Sequence, residues 1–253
     1  PFPMLERYCK SFRSVGTLTP KLGMLYIASA LESAGYKVQF LDSVLEGHDI
    51  DEALNEIVKI SPDIIGITTE TPNMKRSALF SEKIKDSLNI PIVFGGPHPT
   101  LLPEEVLSHN SIDYVVIGEG EYSIVELVNA LNCGSPVEQF SKINGIGYKN
   151  NGKVIITEQS ERIRDLDNLK FPAYHLIDIN RYKPTPHQYR RLPVASVITS
   201  RGCPFSCAFC SSSEMFKRKY ILRSVDNVIE ELIHLQERFG VKEINFWDDI
   251  WGL

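Results

Sequence analysis

The sequence predicts an α/β protein, an N-terminal doubly wound, Rossmann-like sheet followed by the opening of a second strand–helix–strand unit. Three observations carry that expectation. Short β-branched runs alternate with amphipathic stretches through the first half, the pattern of parallel strands joined by helices. A proline-dotted segment without a sustained period then interrupts the chain. Beyond it a strand, a long helix and another strand follow in order.

Taken in order, residues 1–20 read as a loop-like opening and residues 21–34 as a helix stopped at Gly35. Strands are expected at 38–42, 64–68, 92–94 and 114–117, with helices at 50–59, 75–88 and 121–131 between and after them. Asn89 sits where a helix should stop, and Pro62 and Pro91 stand just before strands. An open sheet of this kind normally begins with a strand, so the expected first strand lies before Pro1. From 145 to 157 the period changes to that of a hairpin around Asn150-Asn151-Gly152. Residues 158–193 read as a linker with short local helices. Residues 194–199 then form a strand, 224–239 a helix capped by Ser224, and 243–247 a second strand.

The chain has 253 residues, enough to bury a sizeable core. Its 27 lysines and arginines against 32 acidic residues give a net charge of −5, with no basic surplus to neutralise a nucleic-acid backbone. With 43% hydrophobic and 23% charged residues the composition is that of a folded globular protein. No apolar run approaches the roughly 18 residues of a membrane span, and no leader pattern opens the chain, so a cytoplasmic location is expected. A start on Pro1 and an end on Trp251-Gly252-Leu253, directly after a strand-like run, read as a fragment cut at both ends.

The chemistry concentrates in the cysteines. Of five, Cys203, Cys207 and Cys210 form C-x-x-x-C-x-x-C, directly after a strand, while Cys9 and Cys133 stand alone. Structural zinc generally takes four ligands, and here three thiols cluster with no histidine beside them, which leaves a zinc loop as the minor alternative. A disulfide is disfavoured by the odd number and by the expected compartment. Three thiolates on one loop match three irons of a 4Fe-4S cluster, with the fourth iron left open for chemistry.

This motif resembles the signature of the radical S-adenosylmethionine superfamily, which lies in the loop after the first strand of a partial (β/α) barrel. The resemblance implies that Cys203, Cys207 and Cys210 ligate the cluster, whose open iron binds S-adenosylmethionine and whose reduced form cleaves it to a 5′-deoxyadenosyl radical. It also implies that Phe209 packs near the adenine, with simple loop packing as the alternative. Asp248 and Asp249, at the end of the second strand, match the place of polar residues near S-adenosylmethionine; the alternative is a solvated strand end.

Loops at the C-terminal ends of parallel strands are where such sheets bind ligands. Here they read Thr68-Thr69-Glu70-Thr71, Gly95-Gly96-Pro97-His98-Pro99-Thr100 and Gly118-Glu119-Gly120-Glu121. Together with Thr19-Pro20-Lys21-Leu22-Gly23-Met24-Leu25-Tyr26 opening the first helix, they resemble the cobalamin-binding domain that precedes the radical module in one large subfamily, which includes methyltransferases and the anaerobic magnesium-protoporphyrin monomethyl ester cyclase. By that resemblance Thr68, Thr69, Gly95, Gly96, Pro97, His98, Gly118, Glu119 and Gly120 line the cobalamin site. For His98 the alternative is a turn histidine satisfied by neighbouring backbone. One departure is plain: none of His48, His98, His109, His175, His187 and His234 stands in D-x-H-x-x-G, the motif whose histidine coordinates cobalt from below.

The implied organisation is a cobalamin-binding domain at 1–135, a hairpin and linker at 136–193, and the first, incomplete part of a radical barrel at 194–253. The implied function is methylation, cyclisation or rearrangement of a small organic substrate, with a 4Fe-4S cluster, S-adenosylmethionine and cobalamin as cofactors. An electron donor such as flavodoxin or ferredoxin is the implied partner. A methylthiotransferase-like enzyme and a non-catalytic iron-sulfur or cobalamin sensor are the competing readings.

Overall fold

The computed structural model describes residues 18–253; of the loop-like opening expected at 1–20, residues 1–17, Cys9 among them, lie outside the described residues. The chain divides into two compact units. Among the described residues, one is built from residues 41–161, and the other combines residues 18–40 with residues 162–253. Helix α1 (Leu22–Ser33), which buries Leu25, Tyr26 and Ala28, therefore counts with the second unit.

The first unit opens with α2 (Ser43–Glu46), where Asp42 accepts hydrogen bonds from the backbone N–H groups of Val44 and Leu45. Helix α3 (Ile50–Ile60) starts with a reciprocal capping box between Asp49 and Glu52, which satisfies otherwise orphaned backbone donors. Then come β1 (Ile65–Thr68), α4 (Met74–Ser87), β2 (Ile92–Gly95), the short helices α5 (Pro97–Leu101) and α6 (Pro103–Leu107), β3 (Tyr114–Val116) and α7 (Glu121–Asn132). The hairpin β4 (Ile146–Asn150) and β5 (Lys153–Ile156) completes the unit.

Strands β1, β2 and β3 are parallel neighbours, in register through Ile65–Ile92, Thr68–Gly95 and Phe94–Val115. The hairpin joins the same sheet antiparallel to β3, with Val115 opposite Gly147, which gives the order β1-β2-β3-β4-β5. Ile92, Phe94, Val106, Ile112 and Val115 are fully buried, as expected where helices cover a parallel sheet. Phe140 wedges edge-on between Tyr114 and Tyr148, at 5.6 Å from each ring, and so fastens the hairpin side of the sheet.

The strand expected at 38–42 does not form. Its apolar Val38, Phe40 and Leu41 suit a strand, but β1 pairs with β2 alone, and Asp42 caps a helix instead. A strand requires a ladder partner, and pattern by itself supplies none.

In the second unit β6 (Val194–Val197) is wholly buried and pairs in parallel with β9 (Glu243–Phe246). Between them lie β7 (Ser200–Arg201), α8 (Ser212–Met215), β8 (Ile221–Leu222) and α9 (Val225–Phe239). As the sequence predicts, Ser224 caps α9, its hydroxyl accepting from the N–H of Asn227. Leu25, Tyr174, Ala195, Val197 and Leu235 form this unit's core, and no closed barrel occurs among the described residues. No helix of the described chain is long and apolar enough to cross a membrane.

Candidate active site

Two groups of loops carry the candidate chemistry, one in each unit. In the first, the parallel register aligns the ends of β1, β2 and β3, and hydrogen bonds lace their loops together. Thr69 donates its N–H to the carbonyl of Gly95, and His98 donates its own to the carbonyl of Thr69. The Thr71 hydroxyl meets His98 Nδ1 at 3.1 Å, and the Thr100 hydroxyl accepts from the N–H of Gly118 at 3.0 Å. The three loops singled out from the sequence are thus one structure.

Within it His98 is buried, partnered by a side chain rather than by backbone, and its Nε2 stands 3.7 Å from a carboxylate oxygen of Glu105. Gly96 has φ +97°, and a Cβ there would come within 2.7 Å of the Thr68 hydroxyl and 3.0 Å of the Thr69 carbonyl. Gly95 by contrast faces open space on its Cβ side. A bare backbone at the C-terminal edge of a parallel sheet fits a large ligand lying close against it.

The second group begins where β6 ends. Asp248, just beyond β9, uses one oxygen, Oδ1, to accept from the N–H (2.8 Å) and hydroxyl (3.1 Å) of Thr199 and from the N–H and hydroxyl (2.6 Å) of Ser200. Its other oxygen is buried without a hydrogen-bond partner. Asp249 accepts from the N–H of Gly202 at 3.0 Å. Neither aspartate is simply a solvated strand end, for both hold the backbone that leads into the cysteines.

The cysteine loop leaves the end of β7 and returns at β8, the two strands pairing through Ser200–Leu222 and Arg201–Ile221. Cys203 is half-buried, Cys207 and Cys210 are exposed, and all three thiols are free. Among the described residues no three metal-ligating side chains converge on one point, so the loop supplies the thiols without gathering them. As a donor set, three thiols without a fourth ligand fit a 4Fe-4S cluster better than tetrahedral zinc. Phe209 is 93% exposed, so its ring faces solvent rather than packing within the loop.

Behind the loop lies a buried network that sequence reasoning missed. Arg223 ion-pairs with Glu231, both side chains almost wholly buried, and donates to the carbonyl of Ile198 at 2.7 Å. The Tyr174 hydroxyl lies 2.8 Å from Glu231 and 3.1 Å from the carbonyl of Ser196, and burial first, then the Glu231 carboxylate, pushes its ionisation well above the ordinary tyrosine range. Sequence reasoning also passed over Arg162, whose guanidinium touches three loop carbonyls. Arg223 and Glu231 are eight residues apart, and the other partners stand 22 to 57 residues apart and share no local motif.

Comparison with known proteins decides the family. A sequence model of the B12 binding domain matches residues 11–128, and one of the radical SAM superfamily matches residues 197–249. The chain belongs to the cobalamin-binding radical S-adenosylmethionine superfamily.

Among its relatives in that superfamily, an uncharacterized methyltransferase of Pyrococcus horikoshii is 39% identical over 243 residues, 95% of this chain and 51% of that protein. The anaerobic magnesium-protoporphyrin IX monomethyl ester cyclase of Rubrivivax gelatinosus is 33% identical over 88% of this chain and 40% of its own length. The chain thus spans about half or less of these curated relatives. Among solved structures, the cobalamin-dependent radical enzyme OxsB with aqua-cobalamin and S-adenosylmethionine bound shares the fold at a TM-score of 0.77, with 21% identity over 98% of this chain and 33% of that one. The radical methyltransferase TsrM of Kitasatospora setae, with cobalamin and a 4Fe-4S cluster bound, does so at 0.69, with 20% identity over 91% of this chain and 45% of that one.

Proposed function

We propose that this chain carries the cofactor-binding part of a radical S-adenosylmethionine enzyme that methylates, cyclises or rearranges a small organic substrate. The observation that carries the reading is the set of three free thiols on one clamped loop after a buried parallel strand, in a chain whose other unit opens glycine-rich loops at a parallel sheet edge. Cys203, Cys207 and Cys210 hold the cluster, and Phe209, Asp248 and Asp249 stand beside S-adenosylmethionine, Asp248 through its unpartnered oxygen. Thr68, Thr69, Gly95, Gly96, Pro97, His98, Gly118, Glu119 and Gly120 cradle cobalamin. When bound, these groups supply an electron for opening the sulfonium and a carrier for a methyl group.

The chain's own residues bind and orient. Asp248 and Asp249 fix the start of the cysteine loop, and the buried Arg223–Glu231 pair holds the strand end behind it. An electron donor such as flavodoxin or ferredoxin is the proposed partner and the cytoplasm the proposed location, which free, exposed thiols suit.

Anaerobic reconstitution with ferrous iron and sulfide tests the reading: about four irons per chain are expected, with a paramagnetic signal on reduction. Cys207→Ala should lose both while the chain stays folded. Full iron in that variant, or one zinc in the wild-type chain, would overturn it.

A further inference from the structure

We infer that Arg162 is a positioning residue that holds the two ends of the cysteine loop together; this rests on the proposed cluster site. Arg162 comes from the segment that reads in sequence as linker. Its Nη1 donates to the carbonyls of Phe216 (2.9 Å) and Lys219 (3.3 Å), on the returning side of the loop, and its Nη2 to the carbonyl of Arg201 (3.4 Å), on the departing side. The guanidinium also lies over the Phe216 ring, 4.6 Å from its centre.

Why a guanidinium is needed follows from the crossing. The ladder between β7 and β8 is only two residues long, and a short ladder opens easily. One step inside it, Gly202 passes so close to the returning strand that a Cβ would lie 2.2 Å from the Lys219 carbonyl. Crowded carbonyls from two backbones repel one another unless a donor stands between them. A planar fork with donors on both terminal nitrogens serves both sides at once, whereas an ammonium is a single point. All three thiols are carried on the segment so closed, so their spacing depends on Arg162 without its touching them.

The test begins without metal. In the iron-free chain, alkylation by iodoacetamide is followed by mass spectrometry at Cys203, with exposed Cys133 of the other unit as internal reference. In Arg162→Ala, Cys203 should react at least about fivefold faster relative to Cys133, with far-ultraviolet dichroism unchanged, because local opening exposes it. Added guanidinium at low millimolar concentration should restore protection where sodium chloride does not, and Arg162→Lys should give less than half of it back. After reconstitution, Arg162→Ala should release iron to a chelator faster than the wild-type chain. A folded Arg162→Ala with wild-type Cys203 reactivity overturns the inference. If that variant does not fold, Arg162→Lys decides, and wild-type protection of Cys203 there overturns the inference equally. A wild-type chain that takes up no cluster defeats the proposed function, while the thiol measurement still decides the role of Arg162.

Discussion

Asp248 grips Ser200 twice, its Oδ1 accepting both the backbone N–H and the hydroxyl of a residue 48 positions earlier in the chain. The contact ties the end of β9 to the first residue of β7, from which the cysteine loop departs. Asp248→Ala leaves four donors of Thr199 and Ser200 without this acceptor. Hydrogen bonds to charged groups contribute about 1.5–3 kcal/mol each and do not add fully, so a loss of about 3 kcal/mol is expected in urea unfolding. Asp248→Asn, which keeps an oxygen, should lose less.

Gly202→Ala should damage the cysteine loop selectively. The residue has φ +87°, and the added methyl would collide with the backbone of Lys219. A non-glycine residue in this region costs about 1–2 kcal/mol before any collision. Iron uptake after reconstitution should fall by more than half, with hydroxocobalamin binding unchanged.

Gly96→Ala is the matching probe of the other unit. Its methyl would press on the Thr68 hydroxyl and the Thr69 carbonyl, deforming the strand-end loops. Titration with hydroxocobalamin should shift the visible spectrum of the wild-type chain and shift it less, at each concentration, for the variant; iron uptake should be unaffected.

Glu231→Gln should be among the most destabilising single changes in the second unit. It leaves Arg223 buried without a counter-charge, and breaking one side of such a pair costs about 3–5 kcal/mol. Denaturant unfolding checks this. Replacing Arg223 and Glu231 together by methionine and leucine should cost less than the single change.

Alkali should destabilise the chain through half-buried Tyr114 and buried Tyr174. Burial, with the Asp113 charge beside it, raises Tyr114 from 10.0 to about 12, and Tyr174 is raised by burial and then by Glu231. The folded state keeps these protons when the unfolded state releases them, so their contribution is complete below pH 10 and is lost as pH rises through the folded values. The melting temperature should fall steeply between about pH 10 and 12, and Tyr114→Phe should flatten part of that fall.

The sequence by itself determined what local chemistry dictates. Three thiols at C-x-x-x-C-x-x-C mark a candidate cluster loop without help from the fold, Ser224 caps the helix that follows it, and the apolar runs at β1, β2, β3, β6 and β9 mark strands. Each signal fits within a few turns of helix or one strand, where backbone geometry couples neighbours directly. Tertiary structure decided the rest. Residues 38–42 read like a strand yet find no ladder, whereas the hairpin finds its place by pairing with β3. Arg162 reads as one more charge in a polar linker until its guanidinium meets carbonyls 39, 54 and 57 residues away. Aspartates after β9 become a clamp only because parallel pairing brings β9 beside β6. Such contacts are satisfied across space by groups desolvated together, and the cost of leaving a buried donor or acceptor unpaired selects them without imposing any period on the sequence.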